Sequence, residues 1–234
     1  MIAGILFDKD GTLFDFHATW SGWARKVLTE LAEGDNDRAT ILGRAVGYDL
    51  RAQTFDPDSP VIAHTTEEVA LALLPHLPGR SLAALMAMMN AKAAAVDLAP
   101  AVPLAPFLSG LRSRGLKLGV ATNDSEEAAR AQLANAGIDA QFDFVAGFDS
   151  GHGGKPAPGM LLAFAAAQGL DPAQVVMVGD SRHDLVAGRA AGMRVVGVLT
   201  GLATEADLAP MAEAVLPDIG HLPGWIDRQT VALA

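Results

Sequence analysis

A chain of 234 residues with 50% hydrophobic content can bury a core of ordinary size together with a modest second domain. Its formal net charge of -10 and its lack of any Lys or Arg run argue against nucleic acid or anionic lipid as a partner. Cysteine is absent, which excludes disulfides and thiolate chemistry and fits a reducing compartment.

Residues 2–7 are apolar, carry no basic leader and run straight into Asp8, Asp10 and Asp15, so they predict a buried strand and not a signal peptide. The expected location is therefore the cytoplasm. Residues 16–98 break into helical patterns at 20–31, 38–52, 67–74 and 82–95, with Pro-bearing loops at 56–60 and 75–79 and no convincing buried strand. Beyond them, short apolar runs at 116–121, 144–148, 175–178 and 195–199 alternate with helix-period segments at 106–114, 126–136, 160–168 and 185–191. Ser125 offers a helix cap and Gly137 a stop. The alternation predicts an α/β protein with a three-layer, Rossmann-like parallel-sheet core made of residues 1–15 and 99–234. A small helical domain, residues 16–98, is inserted after the first strand. The Ala-rich stretches are too short or too interrupted to cross a bilayer, so no membrane partner is expected.

Four segments carry chemistry. In Asp8-Lys9-Asp10-Gly11-Thr12 an apolar strand delivers two carboxylates at i and i+2, which alternation along an extended chain sends to the same side. Two such acids repel unless a cation sits between them, and a hard metal such as Mg²⁺ prefers oxygen ligands. Asp180 and Asp184 follow a second apolar run, and ligands in open α/β sheets gather at the carboxyl ends of strands, so all four acids can meet around one ion. Between these pairs lie Thr122-Asn123, a hydroxyl and an amide opening a helix, and Lys155 in a Gly-rich loop. A hydroxyl, backbone N–H groups and an ammonium are what a phosphoryl group needs around its oxygens.

The order acid pair, Thr, Lys, acid pair resembles the haloacid dehalogenase superfamily, and within it the phosphoglycolate phosphatase-like enzymes with a helical cap after the first motif. The resemblance covers the core; the cap matches only in position and helical character. It implies Asp8 as nucleophile and metal ligand, and Asp10 as general acid and base that also lends its main-chain carbonyl to the metal. It further implies Thr122, Asn123 and Lys155 as phosphate binders, Asp180 as a metal ligand and Asp184 as its support. Mg²⁺ is the cofactor it implies and a small phosphorylated metabolite the substrate, with a phosphoglycolate-like compound favoured. Lys9 departs from the apolar residue common at that position, and alternation points it away from the acids.

Each segment has a bland alternative: Asp-x-Asp-Gly is often a turn, Thr-Asn a strand end and a lone lysine a surface residue. Their joint order favours catalysis. For substrate contact the inserted helices offer Trp20, Trp23, Arg44, Tyr48, Arg51, the loop Asp58-Ser59-Pro60, His64 and Thr65, with Arg44 or Arg51 favoured if the substrate carries a carboxylate. Met86, Met88 and Met89 read as helix core, and the histidines lack zinc-site spacing. A phosphosugar mutase of the same superfamily and a non-enzymatic switch that accepts phosphate on Asp8 remain open alternatives. A dinucleotide-binding module is disfavoured because the first strand leads into acids and not a Gly-x-Gly-x-x-Gly loop.

Overall fold

The structure, a computed structural model, describes residues 1–56 and 59–231, without the side chains of 62, 63, 230 and 231. Strand β1 (Gly4–Phe7) leads into the inserted segment, α1 (Phe16–Leu31), α2 (Asn36–Ala45), β2 (Tyr48–Asp49), β3 (Thr54–Phe55), α3 (Pro60–Ala63), α4 (Thr66–Leu73) and α5 (Leu82–Ala94). There follow α6 (Leu104–Ser113), β4 (Lys117–Ala121), α7 (Glu126–Asn135), β5 (Phe144–Ala146), α8 (Gly159–Gln168), β6 (Val175–Gly179) and α9 (Arg182–Ala190). The chain closes with β7 (Arg194–Val198), α10 (Glu205–Leu208), β8 (Ala214–Leu216) and α11 (Leu222–Val231).

Six strands form one parallel sheet in the order β5-β4-β1-β6-β7-β8, with Phe7 in register with Val120 on one side and Val178 on the other. Successive side chains of a strand face opposite ways, and both faces here are apolar. Ile5, Phe7, Val176 and Val178 pack on one side with Leu108 and Leu111 of α6, Leu133 of α7 and Trp225 of α11. Leu6, Val175 and Met177 pack on the other with Phe164 of α8 and Leu185 of α9. This is the three-layer arrangement expected. Because β4 and β5 extend the sheet one way from β1 while β6 to β8 extend it the other, the topology reverses between β1 and β6, where a crevice opens at the strands' carboxyl ends.

The inserted helices pack around an apolar cluster of their own, in which Trp20, Val27, Leu28 and Leu31 of α1 meet Leu42, Leu73, Leu85 and Met89. The chain enters and leaves this module side by side, the Asp15 amide donating to the Ala99 carbonyl at 2.8 Å. Helix α1 starts at Phe16, earlier than the periodicity suggested, because the Asp15 carboxylate caps it by accepting from the Ala18 amide. The long helix expected over 38–52 instead ends at Ala45. Gly47 then takes a left-handed turn (φ 60°) and Tyr48–Asp49 pairs antiparallel with Thr54–Phe55. Two-residue strands are too short for alternation to register. Tyr48 seals this hairpin, its hydroxyl donating to the Ser21 carbonyl at 2.7 Å and its ring lying 4.7 Å from that of Phe55. Among the described residues no helix is long and apolar enough to cross a membrane.

Candidate active site

Asp8 is the first residue past β1 and Asp180 the first past β6, so the topological reversal places both at the same crevice. The Asp8 amide still donates to the Val178 carbonyl at 2.9 Å, which fixes one strand end against the other. Asp184 joins them from the first turn of α9. That helix begins at Arg182 and not near 185, since Ser181 and Asp184 form a reciprocal capping box. One Asp184 oxygen accepts from the Ser181 amide at 3.0 Å and hydroxyl at 2.6 Å; the other accepts from Lys155 Nζ at 2.6 Å. Lys155 Nζ also donates to Asp8 Oδ1 at 2.5 Å.

The carboxylates of Asp8, Asp180 and Asp184 are all buried, with ligand oxygens within 4.8 Å of one another. One ammonium serves two of them, and Asp180 Oδ2 is buried with no hydrogen-bond partner. A side chain at Gly11 or Gly201 would collide with Asp180, its Cβ lying 2.4 or 1.8 Å from Oδ2, so both glycines leave that oxygen room. The electrostatics register the shortage of positive charge. Burial, with Asp184 and Asp10 adding repulsion, pushes Asp8 up to about 7 despite Lys155 beside it. Burial and then Asp8 and Asp184 hold Asp180 well above the ordinary carboxylate value. Burial works to lower Lys155, but Asp184 and Asp8 outweigh it and raise the ammonium above its usual range. Three oxygen donors with surplus negative charge and one orphaned buried oxygen fit a hard divalent cation.

Asp10 stands apart from this triad, contrary to the expectation that alternation would bring its side chain to the ion. The extended strand ends at Phe7, and residues 10–14 form a tight turn in which the Gly11 amide donates to the Phe14 carbonyl at 2.7 Å. The Asp10 carboxylate is held instead by Lys9 and by Trp20 Nε1, which donates to Oδ1 at 2.7 Å. Lys9 also departs from the direction expected of it. It does not point away from the acids: it is fully buried, pairs with Asp10, and lies 3.0 Å from Asp124 and 5.6 Å from the Trp20 ring. Burial raises Asp10 more than the Lys9 ammonium lowers it.

Thr122 and Asn123 follow β4 on the same side of the sheet. Thr122 is buried, and its Oγ1 accepts from the Asp124 amide at 3.1 Å. Asn123 clasps the Lys155 backbone, Oδ1 accepting from its amide at 2.8 Å and Nδ2 donating to its carbonyl at 3.0 Å. Asn123 thus ties the lysine loop to β4.

All seven residues singled out for chemistry line one cleft of about 730 Å³, open mouth included. Its opposite wall comes from the inserted helices. Of the candidates there, Trp20, Trp23 and His64 line the cleft. Arg44 and Arg51 do not; both lie near Asp49, whose carboxylate they help keep ionised after the hydrogen bonds from the Ala52 and Arg51 amides. Tyr48 is committed to the hairpin, Ser59 donates to the Val46 carbonyl, Thr65 caps α4, and Asp58 lies outside the described residues. Phe16, Val61, Thr66, Val69, Asn90 and Ala93 complete this wall without having been foreseen, and Met89, read as helix core, is both buried and cleft-facing. On the core side Asp124, Ser181 and His183 were also missed. Apolar residues carry no chemical signature, whereas Asp124 directly follows a segment already flagged.

A family model described as haloacid dehalogenase-like hydrolase matches residues 2–192. A probable phosphatase IndB from Dickeya dadantii is 31% identical over 225 residues, covering 92% of this chain and 88% of that protein. A phosphoglycolate phosphatase from Neisseria meningitidis is 41% identical over 118 residues, but the match covers only 50% of each chain, so this chain spans about half the length of that relative. The crystal structure of a predicted phosphoglycolate phosphatase from Haemophilus somnus superposes with a TM-score of 0.73 at 19% identity, covering 96% of this chain and 98% of the other, a likeness of fold. With most of the chain matched by the family model and the acid triad and Lys155 converging at the sheet's reversal point, the chain belongs to the haloacid dehalogenase-like hydrolase family.

Proposed function

We propose that the chain is a phosphatase that releases phosphate from a small phosphorylated metabolite through a phospho-aspartate on Asp8. The observation that carries this reading is the burial of Asp8 between Lys155 and two further acids at the floor of a cleft walled by separate helices. In it, residues 1–15 and 99–234 act as the catalytic core and residues 16–98 as a cap that shields the reaction from water. The separate apolar cluster of the inserted helices and their paired entry and exit support that division.

An Asp8 oxygen attacks phosphorus, the bond to the substrate alkoxide breaks, and Asp10 gives its proton to the departing oxygen. The raised affinity of Asp10 for its proton suits it to donate. Water then attacks the same phosphorus and passes a proton to Asp10; the acyl phosphate opens, returning Asp8 as carboxylate and releasing inorganic phosphate. Lys155 and Thr122 bind phosphoryl oxygens, and Asn123 holds Lys155 in place. Asp8, Asp180 and the Asp10 main-chain carbonyl, with Asp184 in support, would hold Mg²⁺, which would supply charge neutralisation at the phosphoryl group.

The test is phosphate release from a panel of phosphorylated metabolites with Mg²⁺ or EDTA, comparing wild type with Asp8→Asn. Metal-dependent release that disappears in the variant is expected. Full activity in Asp8→Asn would overturn the nucleophile assignment, and isomerised sugar phosphate without free phosphate would make the chain a mutase.

A further inference from the structure

The cleft's helical wall has a character of its own. Phe16, Trp20, Val61, Val69 and Met89 give it an apolar surface, and the rings of Trp20 and Trp23 meet edge to face with centroids 5.2 Å apart. Within it, Trp23 Nε1 is buried from solvent with no hydrogen-bond partner. A buried N–H left unpaired costs the free energy of its lost hydration, and an acceptor brought by a ligand recovers it. Asn90 adds a neutral amide to the same wall.

Positive charge is missing there. Among the described lining residues Lys155 is the single Lys or Arg, and its ammonium is already shared by Asp8 and Asp184. His64 sits 3.8 Å from the Glu68 carboxylate and packs edge-on against His183. Five aspartates line the floor, of which Asp10 and Asp124 share the buried Lys9 ammonium behind them, so the acids outnumber the cations that reach them. A second anionic group on the substrate, such as a carboxylate, finds no cation to meet it and a negative field facing it.

Resting on the phosphatase reading, we propose that the organic part of the substrate is uncharged, with a flat apolar face against Trp20 and Trp23 and a hydrogen-bond acceptor for the Trp23 indole N–H. The substrate class is the phosphate monoester of a neutral, ring-bearing alcohol, and Trp23 is a specificity-determining residue. A phosphorylated carboxylic acid of the phosphoglycolate type fits this wall poorly.

Four esters separate the features: phosphoglycolate, 2-hydroxyethyl phosphate, benzyl phosphate and 4-acetylbenzyl phosphate, the last adding an acceptor to the ring. Two readouts apply, kcat/KM for phosphate release and, in Asp8→Asn with Mg²⁺, quenching of tryptophan fluorescence, which reports binding without turnover. Both are expected to rank 4-acetylbenzyl above benzyl, and both ring esters at least about tenfold above phosphoglycolate. Trp23→Phe, which keeps the ring and removes the N–H, is expected to cut the preference for 4-acetylbenzyl over benzyl about fivefold. Phosphoglycolate ranking first, or a preference between the ring esters untouched in Trp23→Phe, overturns the inference. If Trp23→Phe does not fold, the wild-type ranking still decides it. Binding in the expected order without phosphate release from any ester would overturn the phosphatase reading and leave the ligand class standing.

Discussion

Replacing Lys9 with methionine keeps a side chain of similar length in a fully buried slot and removes only the ammonium. The charge it removes faces Asp10 and Asp124, whose side chains are 16% and 26% exposed. Breaking a buried ionic set costs about 3–5 kcal/mol, because the charges left behind stay desolvated and unpaired. Partial exposure of both acids, and the Trp20 N–H that Asp10 retains, place Lys9→Met at the lower end, about 3 kcal/mol. For a chain of this size that lowers Tm by about 6–12 °C at pH 8. The dependence on pH follows from the sign of the shift. Without the ammonium, which opposes the effect of burial, Asp10 binds its proton still more tightly in the folded chain than in the unfolded one. The added instability is then absent at low pH, where both states are protonated, and grows as pH rises through the carboxylate range. Urea denaturation followed by circular dichroism in EDTA, at pH 8 and near pH 4, measures the gap between wild type and variant. It is expected to shrink from about 3 to below about 1 kcal/mol on acidification. Adding Asp124→Asn to the variant should recover part of the loss at pH 8. A gap of equal size at both pH values, or one below about 1 kcal/mol at pH 8, would refute the reasoning.

Asp8 and Asp180 both have folded-state pKa values raised by burial, so the metal-free protein is expected to lose stability as pH climbs from the ordinary carboxylate value of 3.8 toward about 7. Mg²⁺ requires those groups ionised, so its stabilisation should be larger at pH 8 than at pH 5, reaching about 2.7 kcal/mol at a hundredfold excess over Kd. Thermal melts with and without Mg²⁺ measure this, and equal gains at both pH values would count against the triad as the metal site. Asn123→Ala removes both side-chain bonds to the Lys155 backbone, and displacing Lys155 is expected to slow phosphate release about 10- to 100-fold in a folded protein. Unchanged kcat, with folding verified by circular dichroism, would show that the lysine loop holds its place without Asn123.

Much of the core was legible because its strands are buried and read as plain apolar runs, and three of them, β1, β4 and β6, are closed by a polar residue that enters the crevice. Phe7 to Asp8 and Gly179 to Asp180 are the clearest cases. Signals that depend on one residue serving two purposes were harder. Asp184, marked for metal support, also caps α9, so the helix begins three residues before its apolar periodicity. The edge strand Ala214–Leu216 is only three residues long, and helix α11 after it went unread as well. Lys9 was misplaced because alternation was carried past the end of β1 into a turn, where it no longer governs direction. The far wall of the cleft escaped detection for a different reason. Val61, Val69 and Ala93 are ordinary packing residues whose part in a site comes entirely from where the helices set them.

The central position of β1 also orders events during synthesis. Gly4 pairs with Lys117 on one side and Val175 on the other, so β1 meets its first neighbour only after the whole inserted segment has been made and its second only after β4 and β5 as well. The helices from Phe16 to Ala94 meet partners close in sequence and can close their own core meanwhile, since local contacts form before distant ones. β4 can pair one edge of β1 once it has emerged, but the other edge beside Asp8 stays open until β6 emerges, and Asp180, the residue that completes its surroundings, arrives immediately behind β6. Truncation before residue 117 should thus leave a helical fragment with an exposed, adhesive strand β1, a natural client for chaperones that bind extended apolar chain.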